Sequence, residues 1–179
     1  MNLSHIQLRA PEPQDIDLIY HWENDTSIWS VSNTLAPYSR YTIEQFVINS
    51  IDKDIYTTKQ IRLMIDLVGD AESQTIGTVD LYDFDPFHKR VAIGILIDEK
   101  YRKQGFAKHA LKMIIRYCFE TLNLHQVYCS ISENNYESMQ LFVGLGFEKC
   151  AEKKEWRFIN NRWLTEYMYQ LLKSKYKNQ

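Results

Sequence analysis

The sequence predicts a single-domain α/β (α+β) protein with a mixed, mostly antiparallel central sheet and helices on both faces. Three observations carry this reading. Short β-rich runs recur between turn signals, the clearest pair being "QIRLMIDLV" and "TIGTVDLYDF" around Gly69-Asp70. From Phe106 to Leu122 apolar residues hold a helical period. A strand, that long helix and another strand then follow one another, an order that calls for a parallel crossover at the sheet's centre. A chain of 179 residues, 45% hydrophobic and 25% charged, is long enough to bury one core, so residues 1–179 are read as one domain.

Each element has its own warrant. "HIQLRA" alternates apolar and polar residues as a half-buried strand does, and "PEPQD" supplies prolines that a helix tolerates only at its start. Ile16, Ile19, Tyr20 and Trp22 recur at roughly helical spacing until Asn24-Asp25 ends the pattern. A second helix is expected near Thr42, as a Thr cap with Gln45 three residues on, carrying Ile43, Phe46, Val47 and Ile51 on one stripe. Between these helices "TSIWSVSNTLAPYSRY" reads as an aromatic-rich loop. "RVAIGILID" follows the antiparallel pair as a strand with Gly94 inside it, where a bulge, a close backbone approach and simple packing economy are all open readings. After the long helix come the strand "QVYCSIS" and a shorter helix in "YESMQLFVGLGF". "EWRFINNRWLTEYMYQLL" then reads as two strands joined at Asn160-Asn161, and "KSKYKNQ" as a solvated tail.

Composition excludes several classes. A net charge of −2 gives no whole-molecule field that would draw the protein to nucleic acid or an anionic membrane. Cys118, Cys129 and Cys150 are odd in number and lack CxxC or Cys/His spacing, which fits reduced structural thiols of a cytoplasmic protein; no metal site is expected. The N-terminus lacks a basic region leading into an apolar one, and no apolar run approaches the roughly 20 residues of a spanning helix, so neither secretion nor membrane insertion is expected.

The chemistry concentrates at one turn. Lys100, Arg102 and Lys103 crowd the entrance of the long helix, where the macrodipole disfavours cations. Arg102-Lys103-Gln104-Gly105-Phe106-Ala107 places small residues at two positions where loop becomes helix, so successive amides can turn inward around a phosphate, with Lys103, Lys108 and Lys112 as outer charge. From the hexapeptide alone, an ordinary strand-to-helix turn with solvated lysines is the other reading. There is no GxxxxGK[ST] and no three-glycine dinucleotide fingerprint, which removes support for ATP hydrolysis and nicotinamide chemistry.

Together these pieces resemble the GNAT superfamily of acetyl-CoA-dependent N-acetyltransferases, in its branch of ribosomal-protein N-terminal and spermidine acetyltransferases. Arg102, Gly105 and Ala107 match that family's [Q/R]xxGx[G/A] signature, Asn135 and "VGLGF" match a second element, and the resemblance covers nearly the whole chain. It implies that acetyl-CoA enters as co-substrate in a wedge where "RVAIGILID" and "QVYCSIS" splay apart. Its pyrophosphate would lie on the amides of 102–107 beside Lys103, Gln104, Phe106 and Lys108, and its thioester against the backbone at Leu96 and Ile97. Asn135 would meet the pantetheine, cap the next helix, or do both. The family often carries a Glu where this chain has Ala92, and a thiolate-protonating Tyr where it has Phe142, here a lining residue.

The candidate proton-handling groups are Asp83, Asp85 and His88 in "DLYDFDPFHKR", with a plain turn at Asp85-Pro86 as the structural alternative. Trp22, Glu23 and Trp29 are expected to bind the acceptor, with Tyr38 and Tyr41 as further walls, since aromatics beside carboxylates suit a cationic amine. The resemblance therefore implies acetyl transfer to a polyamine such as spermidine or to a protein N-terminal amine, with aminoglycosides a third option and room for a homo-oligomer. Ala92 and Phe142 motivate the alternative of a non-catalytic acetyl-CoA-binding sensor.

Overall fold

The computed structural model describes residues 5–32, 34–69 and 72–176. In chain order its elements are β1 (Ile6–Arg9), α1 (Ile16–Glu23), α2 (Thr26–Trp29), α3 (Arg40–Asp52), α4 (Ile55–Thr58), β2 (Ile61–Val68), β3 (Ser73–Asp85), β4 (Arg90–Ile97), α5 (Phe106–Arg116), β5 (Gln126–Ser132), α6 (Tyr136–Val143), β6 (Glu148–Ile159), β7 (Arg162–Leu172) and α7 (Lys173–Tyr176). One seven-stranded sheet runs β1-β2-β3-β4-β5-β7-β6. Every neighbouring pair is antiparallel except β4 and β5, the pair joined by the α5 crossover.

Both faces of this sheet are covered because adjacent strand residues point to opposite sides. On β2, Ile65 packs in a large core with Leu111, Ile114 and Ile115 of α5, while its neighbour Met64 packs with Ile19, Trp22, Ile43 and Val47 of α1 and α3. Full burial of one such aliphatic side chain contributes roughly 1.5–3 kcal/mol. Arg9 ties the first strands to the start of α1. Its guanidinium grips Asp15 through Nη1 and Nη2 at 2.6 and 2.8 Å, Asp66 through Nε at 2.6 Å and Thr75 Oγ1 at 3.0 Å.

The central parallel ladder is short. Only Arg90, Ala92 and the residue between them pair with Gln126 to Tyr128; beyond Ala92 the two strands part. The remainder of β5 pairs with β7 and the remainder of β4 with β3, so the gap opens between Ile93–Ile97 and Cys129–Ser132. Among the described residues, backbone groups of those two segments that face the gap have no strand partner.

Several boundaries differ from expectation. α3 begins at Arg40 and its cap is Ser39, whose Oγ accepts from Thr42 N at 3.1 Å, so Thr42 lies inside the first turn. Two four-residue helices were not expected, α2 inside the aromatic-rich loop and α4 between α3 and β2; Asp25 caps α2 by accepting from Ser27 N, and Asp54 caps α4 by accepting from Thr57 N. β6 starts at Glu148, ahead of "EWRFI", and the tail's first half folds as α7, where Tyr176 packs on Phe119 with ring centroids 5.0 Å apart. Residues 177–179 of that tail, and Asp70 of the Gly69-Asp70 turn, lie outside the described residues.

Candidate active site

The gap between β4 and β5 continues into a cleft of about 530 Å³, a size that suits a cofactor arm or small ligand. Alternation decides its wall. Ile93 and Ile97 of β4 and Cys129 and Ile131 of β5 belong to the α5-side core, so Gly94, Leu96, Ser130 and Ser132 turn to the face carrying α1. Asp80 and Tyr82 of β3 and Arg62 of β2 line that same face. α1 and α2 roof it with Trp22, Glu23 and Trp29; Trp22 Nε1 donates to Asp98 Oδ2 at 3.2 Å and Trp29 Nε1 to the Glu23 carbonyl at 2.9 Å.

At the mouth, the basic turn has the geometry of an anion cradle. Asp98 caps a single 3₁₀ turn by accepting from Lys100 N, and Arg102 Nε then donates to the Ile97 carbonyl at 2.9 Å. Lys103 (φ 60°) and Gly105 (φ 89°) both adopt left-handed backbone, so the chain curls before Gly105 caps α5. Among the described residues, the amides of Lys103 to Lys108 donate to no protein acceptor. Uncommitted donors at a positive helix end are what a phosphate requires. The Lys103–Glu137 pair at 3.4 Å is mostly exposed, so water screens it and it does little to withhold Lys103 from a ligand.

The cleft face that carries α1 holds paired charges. Arg62 sits between Glu23, at 2.5 Å from Nη1, and Asp80, at 2.7 and 3.1 Å from Nε and Nη2, with its guanidinium 5.1 Å from the Phe46 ring centroid. Burial disfavours its charge, but the two carboxylates outweigh that and raise its pKa further. Burial, with Cys129 and Asp83 nearby, raises the pKa of Tyr82, which keeps the phenol neutral and able to donate. Gly94 lies beside that ring, where a Cβ would stand 3.5 Å from Tyr82 Cε1, an ordinary contact, so the ring does not require glycine here.

The sequence profile of the acetyltransferase (GNAT) domain family matches residues 5–148. The chain belongs to this family. Among relatives of this GNAT chain, a spermidine N(1)-acetyltransferase of Vibrio cholerae is 28% identical over 175 residues, spanning 98% of the chain and 97% of the relative. One from Escherichia coli K12 is 25% identical over 160 residues, covering 88% and 81%. The solved structure of the spermidine N-acetyltransferase from Vibrio cholerae in complex with CoA and spermine superposes with a TM-score of 0.84 at 28% identity, covering 98% of this chain and 99% of that one.

Within this GNAT fold the expected site residues separate into groups. Leu96, Ile97, Arg102, Asn135 and Phe142 line the cleft, as do Trp22, Glu23 and Trp29. Asn135 caps α6, its Oδ1 accepting from Ser138 N at 3.2 Å, while its side-chain Nδ2 has no partner among the described residues. Lys103, Gln104, Gly105, Phe106, Ala107 and Lys108 form the cradle beyond the end of β4 and offer backbone; the Phe106 ring itself is buried in the α5-side core. Phe142 stacks edge-on against Phe147 at 5.0 Å and carries no hydroxyl. Ala92 is buried at the vertex, in register with Tyr82 on one side and Tyr128 on the other.

Asp83, Asp85 and His88 do not reach the cleft, which corrects their expected role beside it. Asp83 is exposed with φ 52° in a bulge. Asp85 accepts from His88 N at 2.9 Å and pairs with Arg90 at 3.3 Å, so these residues make the β3–β4 turn. Tyr38 and Tyr41, the further walls, also stand outside it. Conversely Arg62, Asp80, Tyr82, Arg157, Ser132 and Glu166 line the cleft without having been singled out by sequence. Their signal was faint: single polar residues on strand faces that otherwise read as facing solvent.

Proposed function

We propose that this GNAT acetyltransferase moves an acetyl group from acetyl-CoA to a primary amine of a polyamine such as spermidine. The observation that carries the reading is the cradle of uncommitted amides at Lys103–Lys108, which follows directly on Arg102, a residue that lines the cleft where β4 and β5 part. A diphosphate on that cradle extends its pantetheine arm along the unpaired edge of β4 past Ile97 and Leu96, with Asn135 opposite. Backbone N–H groups of that edge then face the thioester carbonyl and stabilise the oxyanion that forms on attack. The free amine adds to the carbonyl carbon, the C–S bond breaks, and the proton released by nitrogen ends on the departing thiolate. Neither Ala92 nor Phe142 can carry a proton, so it travels by water or by the neutral Tyr82 phenol, which stands in register with the vertex.

The names of the relatives and the neighbour solved with CoA and spermine support the polyamine acceptor. The cleft adds aromatic faces at Trp22 and Trp29 beside Glu23, which suit an alkylammonium. Free Cys118, Cys129 and Cys150 support a reducing, cytoplasmic setting, and no helix among the described residues is long and apolar enough to cross a membrane. Self-association is supported by Trp156, Phe158 and Trp163 on the β6–β7 hairpin, each more than half exposed; sedimentation over a concentration range tests it. The deciding assay is thiol release from acetyl-CoA with spermidine, a basic N-terminal peptide and an aminoglycoside as acceptors. Spermidine-dependent release with N-acetylspermidine as product is expected. Binding of acetyl-CoA with no acceptor-dependent release would convert the reading to a sensor.

A further inference from the structure

Apart from Arg62 and its two carboxylates, the cleft holds a second polar group with a different bonding state. Ser132 is 2% exposed, and its Oγ is the buried side-chain polar atom without a hydrogen-bond partner among the described residues. An unpaired buried hydroxyl is costly, and native structures leave few of them. Directly opposite it in the β5–β7 register is Glu166, itself 6% exposed, and opposite Glu166 in the β7–β6 register is Lys153. Side chains directly opposite one another in an antiparallel pair stand about 4.5–5.5 Å apart at Cβ. Lys153 Nζ holds Glu166 Oε1 at 3.0 Å, while Oε2 receives no hydrogen bond from any described group.

Both residues face the cleft. Tyr167, Tyr169 and Leu171 of β7 pack with the α5-side core, as Ile131 of β5 does, so alternation turns Glu166 and Ser132 to the acceptor face. The other cleft carboxylates are committed or exposed: Glu23 and Asp80 to Arg62, Glu137 at the mouth beside Lys103.

We propose that Glu166 and Ser132 form an ammonium-binding subsite that anchors the non-reacting end of a polyamine, with Glu166 Oε2 and Ser132 Oγ each accepting an N–H. Hydrogen-bond accounting fits this ligand class. A serine hydroxyl has one proton and two lone pairs, so Ser132 Oγ, which has no partner among the described residues, is free to accept from an ammonium, which brings three donors. Carboxylates are weaker bases than alkylamines by about six pH units, so the group held here stays a cation and is anchored, leaving the reacting amine to another part of the cleft. The inference rests on the amine-acceptor reading above.

The test separates the two claims by measuring binding apart from turnover. Calorimetry of the CoA-loaded full chain is run with spermidine and with n-butylamine, a monoamine that lacks a second ammonium. Glu166→Gln is expected to weaken spermidine at least about tenfold and Ser132→Ala about threefold, with butylamine and acetyl-CoA affinities within twofold of the parent. Spermidine affinity unchanged in both variants, equal loss of spermidine and butylamine, or no spermidine binding by the parent would each overturn the subsite. Binding that follows the expected pattern without any N-acetylspermidine formed would sustain the subsite and reject the polyamine acetyltransferase. Should Glu166→Gln fail to fold, Ser132→Ala carries the test alone, since its hydroxyl has no protein partner to lose.

Discussion

Replacing Gly77 by alanine tests whether the spacing of β3 and β4 sets the co-substrate cleft. A Cβ at Gly77 would stand 2.2 Å from the Leu96 carbonyl oxygen and 3.1 Å from Ile97 Cα, both backbone atoms. Ordinary contact begins near 3.4 Å, so one strand must yield by about 1 Å. β3 is held on its far side by β2, whereas Leu96 and Ile97 have no partner on β5, so the end of β4 gives way into the cleft. Overpacking of this kind costs about 1–3 kcal/mol. A domain of this size loses about 2–4 °C in Tm per kcal/mol, which sets the expected fall at roughly 2–12 °C. Because the displaced residues border the proposed thioester position, a shift of about 1 Å should also lower kcat/KM by about tenfold to a hundredfold. Differential scanning fluorimetry and a thiol-release assay read the two effects. An alanine variant that melts within 1 °C of the parent and turns over equally would show that β4 does not owe its position to this glycine.

Four further outcomes follow from the geometry. Gly105→Glu puts a side chain on a left-handed residue and a negative charge beside the amide cradle, so acetyl-CoA binding measured by calorimetry should fall more than about tenfold; unchanged affinity would remove the cradle assignment. Arg62→Met leaves Glu23 and Asp80 without their cation and should cost about 3–5 kcal/mol in chemical denaturation, with part recovered in the double variant carrying Asp80→Asn. Burial pushes the Cys118 thiol up to about 12 and raises Cys129 as well, so a disulfide reagent at pH 8 should titrate only exposed Cys150 in the folded protein and all three thiols in guanidinium. Burial alone would raise the Asp15 carboxyl, but hydrogen bonds from Arg9 and the Glu12 amide and the Arg9 charge outweigh it and hold its pKa low. A carboxyl lowered on folding stabilises above its unfolded value of about 3.9 and loses that stability as pH falls through the folded value. Melting temperature should therefore drop below about pH 4 in the parent, and Asp15→Asn should flatten that limb.

The sheet and its long crossover helix were legible because their signals are periodic. Alternation marks β1 to β5 and β7, and the apolar spacing after Phe106 marks α5 without reference to anything distant. α2 and α4 left no such trace, being single turns held by Asp25 and Asp54 side chains. The early part of β6 is exposed and charged, "EKCAEKK", and owes its extended form to pairing with β7, a partner distant in sequence. In the candidate site, the proposed co-substrate half draws on a local signal, a turn beside a helix start. The proposed acceptor half has no such signal: Arg62, Asp80, Ser132 and Glu166 come from four strands and meet only through sheet register. Asp83 and Asp85 drew attention for a local reason, the carboxylates of a turn, and that turn is what they make.

Charge placement bears on how one cleft would serve the two oppositely charged ligands of the proposed reaction. At the α5 end, a diphosphate on the proposed cradle would meet backbone amides, the uncommitted Nη groups of Arg102 and weakly held Lys103, none of which is neutralised by a buried carboxylate. On the acceptor face each interior carboxylate already has a cation, Arg62 for Glu23 and Asp80, Lys153 for Glu166. A site paired in this way has little net charge with which to pull in a polycation, so selection falls to single oxygen atoms and aromatic faces. Among those oxygens, Glu166 Oε2 is the one backed by a hydroxyl that has nothing else to bind, which makes the Ser132 row, rather than the more conspicuous Arg62 cluster, the place where a second ammonium can gain more than it loses on leaving water.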